Sequence, residues 1–228
     1  IGHVLKRCEK SNLLDDLFVA TCDREIYDYI ESIGGKAIMT SPDHERCGDR
    51  VAEALMIIEK KTQENVDFVV LIQGDEPLIY PDMIDAAMQP LLEDESVQIS
   101  NLVGKIVTKE EWQDPNEVKV VTDLKGYAIY SSRVPIPSDK KWKDDIEMKK
   151  QICVIPHRRD FLLKFNEIEP TPLEKVESID MMRLIEHGYK VKMVPTEREV
   201  CSVDTPADLE KVESIMKEDS LFLEYGTV

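Results

Sequence analysis

No run of apolar residues in the sequence reaches the ~18 positions that a membrane-spanning helix needs, and no signal-peptide pattern opens it. Basic residues are scarce: 29 Lys and Arg face 46 Asp and Glu, leaving a net charge of −17. That deficit argues against a nucleic-acid binder held by a general basic surface. An anionic substrate would then need a local cationic pocket or a metal ion. Cysteine pairs of the C-x-x-C kind are missing; Cys8, Cys22, Cys47, Cys153 and Cys201 stand apart, an odd set without a framework. Such usage points to reduced thiols and a cytoplasmic protein. No His/Cys set has zinc-ligand spacing, and no internal repeat, low-complexity tract or linker divides the chain. These absences set the expectation of one domain with neither a membrane nor a nucleic-acid partner.

What is present is an alternation. The 228 residues suffice for a sizeable core. Strand-like runs at 17–21, 36–40, 67–73, 97–103 and 189–194 alternate with helical spacing at 24–33, 49–61, 82–93 and 172–187. Strand–helix alternation predicts an α/β fold with a mainly parallel sheet. Val69, Val70, Leu71 and Ile72 form a continuous apolar run, the pattern of a strand covered on both faces. The middle differs: 117–123 and 127–133 read as a hairpin through Gly126, 138–150 as a polar loop or short helix, and 151–156 as another strand. The stretch 117–157 is therefore expected to be a β-rich insertion or dimerisation region. Residues 1–10 read as helix, and Ile1 in place of Met points to a segment upstream.

Two carboxylates sit where strands should end. In open parallel sheets, ligands bind beyond the carboxyl ends of the strands. Asp75 follows the central strand after Gly74, which permits a turn or a close approach, and Pro77 stops the ladder. In "SVDTPADLEKV" (202–212), Thr205 fits an N-cap, Pro206 the first helical position and Asp208 a capping box. Asp204 is left just outside the cap. Either the two aspartates are a turn former and an extended cap, or they face one crevice as hard oxygen ligands for Mg²⁺. Spacing alone leaves both readings open. Among the histidines, His187 reads as a partner of a helix C-terminus, while His44 follows Asp43 near the start of a helix.

Five stretches then occur in a telling order: "QGDEP" (73–77), "DPNEVKVV" (114–121), "GYAIYSSRVPIP" (126–137), "TPLEKVESIDMMRLIEHG" (171–188) and "VDTPADLEKV" (203–212). Together they resemble the 3-deoxy-manno-octulosonate (Kdo) cytidylyltransferases over nearly the whole chain. The resemblance implies a Rossmann-like nucleotidyltransferase fold and a homodimer. It also implies CMP transfer from CTP to a 2-keto-3-deoxy sugar acid, with pyrophosphate release, for lipopolysaccharide synthesis. It implies Mg²⁺ on Asp75 and Asp204, with Arg50 beside them as a catalytic cation for the sugar carboxylate. Gln73, Gly74 and Asp49 match nucleotide-binding positions. Asn116, Lys119, Arg133, Gln151, Glu177 and Asp180 match the sugar side, although Lys119 and Arg133 read equally well as solvated strand charges.

The resemblance fails in three places. The family opens with a strand and a Gly-rich, cationic loop that cradles the triphosphate, and this sequence starts beyond it. The family's Ser-Gly-Thr is Arg46, Cys47 and Gly48 here. On the sugar strand Gln151, Cys153 and Ile155 replace His, Gly and Tyr, and Asp180 and Met181 replace a Glu-Gln pair. Losing polar partners alters what such a site discriminates. A different sugar or small acid, or a non-catalytic regulatory relative, therefore stands as the alternative.

Overall fold

The computed structural model describes residues 1–139 and 147–226. Its contacts divide the chain into two compact units. The first comprises Ile1–Asp67, Leu71–Ala86 and Val200–Val228; the second comprises Phe68–Val70 and Ala87–Glu199.

In the first unit the order is α1 (Gly2–Cys8), β1 (Val19–Thr21), α2 (Arg24–Ser32), β2 (Ala37–Met39) and α3 (Cys47–Thr62). Strands β3 (Phe68–Ile72) and helix α4 (Pro81–Glu93) cross the boundary between units, and α9 (Pro206–Met216) and α10 (Ser220–Tyr225) complete the first. β1 and β2 pair in parallel, Val19 opposite Ala37. Helix α2 starts where Asp23 accepts the Glu25 and Ile26 amides, and it buries Ile30 against Leu5 and Ala37. A second apolar cluster joins Leu78 to Val212 and Met216 of α9, with Val203 and Cys201 packed beside it. Burying side chains of this size contributes about 1.5–3 kcal/mol each. That contribution holds the start of α9 against the chain that follows β3.

The second unit contains β4 (Ser100–Lys105), α5 (Lys109–Gln113), β5 (Lys119–Thr122), β6 (Ala128–Ser132), β7 (Lys149–Ile152) and β8 (Val154–Arg158). After these come α6 (Arg159–Glu167), α7 (Pro172–Glu177), α8 (Met181–Glu186) and β9 (Lys192–Pro195). Five strands run in the order β6-β5-β7-β4-β9, while β3 pairs with β8. The ends of the five-strand order meet: Ala128 N–H donates to Val191 O at 3.0 Å and Met193 N–H to Gly126 O at 2.8 Å. A core of Ile99, Val103, Val120, Phe161, Phe165, Met182 and Leu184 lies against this sheet.

The expectation of a mainly parallel sheet is corrected here. β1–β2 and β4–β9 are parallel ladders, while β4–β7, β5–β6 and β5–β7 are antiparallel. One of these pairs, β5–β6, follows from the hairpin at Gly126 (φ 77°), where Asp123 Oδ1 accepts the Lys125 and Tyr127 amides, both at 2.8 Å. A tight turn forces antiparallel pairing. The residues 117–157 supply β5, β6 and β7 to the same sheet as β4 and β9.

Two expected elements are each split. The strand at 151–156 breaks at Cys153 into β7 and β8; Asn101 Nδ2 spans the break, donating to Ile152 O (2.6 Å) and Val154 O (3.2 Å). The helix at 172–187 breaks at Ser178, whose φ of 55° lies in the left-handed region. Of the apolar run in β3, Leu71 alone is fully buried, so the strand is not covered on both faces throughout. Most of the polar stretch expected at 138–150 lies outside the described residues.

Candidate active site

The first unit brings six of the expected residues into its fold: Asp49, Arg50, Gln73, Gly74, Asp75 and Asp204. Asp75 leaves β3 through the exposed Gly74, where Ile1 packs so closely that an added Cβ would come within 2.8 Å of its Cδ1. Asp204 precedes α9, whose start is fixed as the spacing requires. Thr205 is the N-cap, Pro206 opens the helix, and Asp208 closes a reciprocal capping box by accepting the Thr205 amide at 2.8 Å. The two aspartates are then tied together by backbone, since Val203 N–H donates to Asp75 O at 2.9 Å.

Their environments differ. Asp204 is exposed, and its Oδ2 accepts the Ser202 hydroxyl at 3.0 Å. Asp75 is half-buried, and its Oδ1 is buried without a hydrogen-bond partner among the described residues. Burial pushes the Asp75 carboxyl above its ordinary value of 3.8, and the Asp204 charge pushes it further, while its own amide opposes this. A carboxylate with an orphaned buried oxygen, repelled by a second carboxylate, is an arrangement that a cation relieves. Among the described residues no group of three or more His, Cys, Asp or Glu is arranged to hold a metal. Two carboxylates are a donor set that suits Mg²⁺, which keeps waters and substrate oxygens in its remaining positions.

The N-terminus of α3 meets Gln73, two residues before Asp75. Cys47, its first residue, is exposed and accepts a hydrogen bond from Gln73 Nε2 at 3.3 Å. Asp49 occupies the first helical turn, where a negative charge complements the helix dipole. Arg50 is turned toward the preceding segment: Nη1 donates to Thr40 Oγ1 (2.6 Å) and Ser41 O (3.3 Å), and Nη2 to His44 O (3.5 Å). The role expected of Arg50 is that of a catalytic cation on a sugar carboxylate; among the described residues its terminal nitrogens donate to Thr40, Ser41 and His44. Glu53 and His44, unassigned by the sequence reading, complete this group. The signal available was Glu53's place one turn beyond Arg50 on the same helix face.

The second unit holds Asn116, Lys119, Arg133, Gln151, Glu177 and Asp180. Lys119 is fully buried, and its ammonium donates to the Asp114, Glu117 and Arg133 carbonyls, each at 2.6 Å. All three protons are spent. The reading of Lys119 as a solvated strand charge is corrected by this burial. Arg133 donates to the carbonyls of Glu177 (3.0 Å), Pro115 (3.1 Å) and Ser178 (3.4 Å). Glu177 in turn accepts from Tyr130 O–H (2.8 Å), Ser132 O–H (2.9 Å) and the Arg133 amide (3.1 Å), which hold its carboxyl below the usual range despite partial burial. These residues knot the start of β5 and the end of β6 to the end of α7. Asn116 is exposed in the turn before β5, with its amide on Asp114 Oδ1 at 2.8 Å. Gln151, Cys153 and Ile155 are each partly exposed around the β7–β8 break, where Ile155 also packs against the core of this unit. Asp180 is the residue just before α8, and His187 caps its end as expected.

An α/β fold whose paired aspartates stand at the end of a strand and the start of a helix fits the nucleotidyltransferase class, and the comparisons agree. The cytidylyltransferase family profile matches residues 1–194. A 3-deoxy-manno-octulosonate cytidylyltransferase of Geotalea uraniireducens is 43% identical over 93% of this chain and 86% of its own. The Fusobacterium nucleatum protein of that name is 41% identical over 97% and 87%. A solved CMP:2-keto-3-deoxy-manno-octonic acid synthetase complexed with CTP superposes with a TM-score of 0.85 at 30% identity, covering 96% of this chain and 87% of that one. The chain belongs to the 3-deoxy-manno-octulosonate cytidylyltransferase family. A cytidylyltransferase of Leptospira borgpetersenii, with a TM-score of 0.57 and 18% identity over 96% and 75% of the two chains, shares the fold alone.

Proposed function

We propose that this enzyme transfers CMP from CTP to 3-deoxy-manno-octulosonate and releases pyrophosphate. The observation that carries the reading is the convergence of Asp75 and Asp204, joined through Val203 and Asp75 and leaving one buried carboxylate oxygen unpartnered. The reaction joins the sugar's anomeric oxygen to the α-phosphorus and breaks the bond to the β-phosphate, while the hydroxyl proton leaves to solvent.

Asp75 and Asp204 would hold Mg²⁺. When bound, that ion neutralises charge on the phosphate oxygens and favours the ionised form of a coordinated hydroxyl. The protein's own share is positioning and electrostatics. Asp75, anchored by the Val203 amide, presents its orphaned oxygen at a fixed point, and the capping box fixes where Asp204 emerges. Gln73, Gly74 and Asp49 are assigned to the nucleotide. Asn116, Gln151 and Asp180 are assigned to the sugar acid, with Arg133 and Glu177 shaping the strand ends that carry it. The enzyme is proposed to act as a cytoplasmic homodimer in lipopolysaccharide precursor synthesis.

A second reading is favoured by one feature. The positions Gln151, Cys153 and Ile155 carry few hydrogen-bonding groups for a polyhydroxylated sugar, which suits a less hydroxylated relative of the sugar acid. Pyrophosphate release by the encoded full-length protein, measured with CTP, Mg²⁺ and a panel of 2-keto-3-deoxy acids, decides between the two. Turnover with the octulosonate supports the first reading, preference for another acid supports the second, and no CTP-dependent release from any acid overturns both.

A further inference from the structure

The segment 40–46 leads from β2 to α3, and it is held by the helix it precedes. A single carboxylate oxygen, Glu53 Oε2, accepts both the Ser41 amide (2.8 Å) and His44 Nε2 (2.5 Å). Arg50 lies one turn earlier on the same face and grips Thr40 Oγ1, Ser41 O and His44 O. The segment is also anchored at its start, where Thr40 N–H donates to Thr21 O at 2.9 Å, and inside it, where Ser41 Oγ accepts the Asp43 amide at 3.1 Å. The segment ends at Cys47, whose sulfur receives Gln73 Nε2, and Gln73 is two residues from Asp75.

We infer that Glu53, with Arg50, is a positioning residue for catalysis: the two form a clasp that sets the 40–46 segment, and with it the Cys47–Gln73 contact, on the nucleotide side of the aspartate pair. The inference rests on the cytidylyltransferase reading above. Three bonds to main-chain groups, those to the Ser41 amide and to the Ser41 and His44 carbonyls, fix the path of the segment rather than its side chains. The clasp is local to one helix face and lies outside the apolar core, since the Glu53 and His44 side chains are 30% and 24% exposed. Loosening it moves the segment without dismantling the fold. The Ser41 amide first, and His44 second, hold the Glu53 carboxyl below its ordinary value, as befits an anion that accepts two bonds.

Because one oxygen does the accepting, a neutral isostere can replace it. Glu53→Gln keeps that oxygen, whereas Glu53→Ala removes it. In steady-state pyrophosphate release by the full-length protein, Glu53→Ala should raise KM for CTP roughly tenfold while changing kcat less than about threefold, the signature of a misplaced binding group. Glu53→Gln should stay within about threefold of the parent in KM, on the ground that the accepted bonds survive. An unchanged KM in Glu53→Ala, or a Glu53→Gln variant as impaired as the alanine, overturns the inference. Should Glu53→Ala fail to fold, His44→Ala carries the test: it deletes the ring contact alone and should raise KM for CTP about threefold, and no rise overturns the inference. An active parent with unaffected variants removes the clasp but leaves the cytidylyltransferase reading standing. A parent that releases no pyrophosphate from CTP removes both.

Discussion

The aspartate turn of the first unit and the polar knot of the second contain similar residue types in opposite states. Lys119 places every ammonium proton on a carbonyl, and Glu177 and Arg133 are tied into the same group of strand ends. Asp75 keeps a buried oxygen without a partner beside a second carboxylate. Charges satisfied by the protein rigidify it. A charge left unsatisfied costs stability unless something from outside completes it. The contrast assigns structure to the knot and chemistry to the turn, a distinction that counting charged residues does not make.

The sharpest way to break this contrast is at the turn. Asp75→Asn should lower turnover roughly a thousandfold, as expected when an electrostatic anchor of the transition state is lost, while the folded state survives thermal melting unimpaired. Asp204→Asn, at an exposed position, should cost roughly a hundredfold. Pyrophosphate-release assays check both, and full activity in either variant removes that residue from the site.

The knot should respond in the reverse sense. Lys119→Met leaves three part-buried carbonyls without their donor and should lower unfolding free energy by about 3 kcal/mol. Urea denaturation measures this, and the folded fraction should keep turnover within about threefold of the parent, since no transition-state contact is removed. Collapse of kcat with unchanged stability would reverse the assignment.

A third effect is tied to pH. His157 on β8 is buried, its Nδ1–H donating to Ile155 O at 2.8 Å, and burial pushes its pKa from 6.5 down to about 4. The unfolded chain takes up this proton first as pH falls. The contribution is therefore complete above pH 6.5 and is lost between there and about pH 4, by about 3 kcal/mol at most. His157→Phe should flatten that part of the stability–pH curve in denaturant titrations. An unchanged slope would contradict the burial of a neutral imidazole.

The smallest effect concerns Glu177. Glu177→Gln keeps the shape but loses the charge that accepts from Tyr130, Ser132 and the Arg133 amide, and should cost about 1–2 kcal/mol in the same urea experiment.

The sequence carried the parts of this fold that depend on local chemistry. Thr205, Pro206 and Asp208 specify a helix start wherever they occur in that order, so the position of Asp204 outside the cap was legible in advance. Gly126 specified the hairpin, though its consequence, a mixed rather than mainly parallel sheet, depends on partners distant in sequence. Other features leave no local mark. Ser178 adopts a left-handed conformation that glycine usually takes, which hid the break between α7 and α8. The switch at Cys153 is stitched by Asn101, some fifty residues away by the count of their separation to Ile152 (51). The cage around Lys119 is made of carbonyls, which every residue possesses, so nothing in the neighbouring letters distinguishes a caged lysine from one that meets a ligand. The same holds for Arg50, whose acceptors at Ser41 and His44 are backbone.

Metal binding at the aspartate pair is open to a single titration. Mn²⁺ added to the full-length protein with CTP present, followed by electron paramagnetic resonance, should report one protein-dependent site per chain that disappears in both Asp75→Asn and Asp204→Asn. Retention of that site, with the same stoichiometry and affinity in both variants, would show that the two carboxylates do not share a cation.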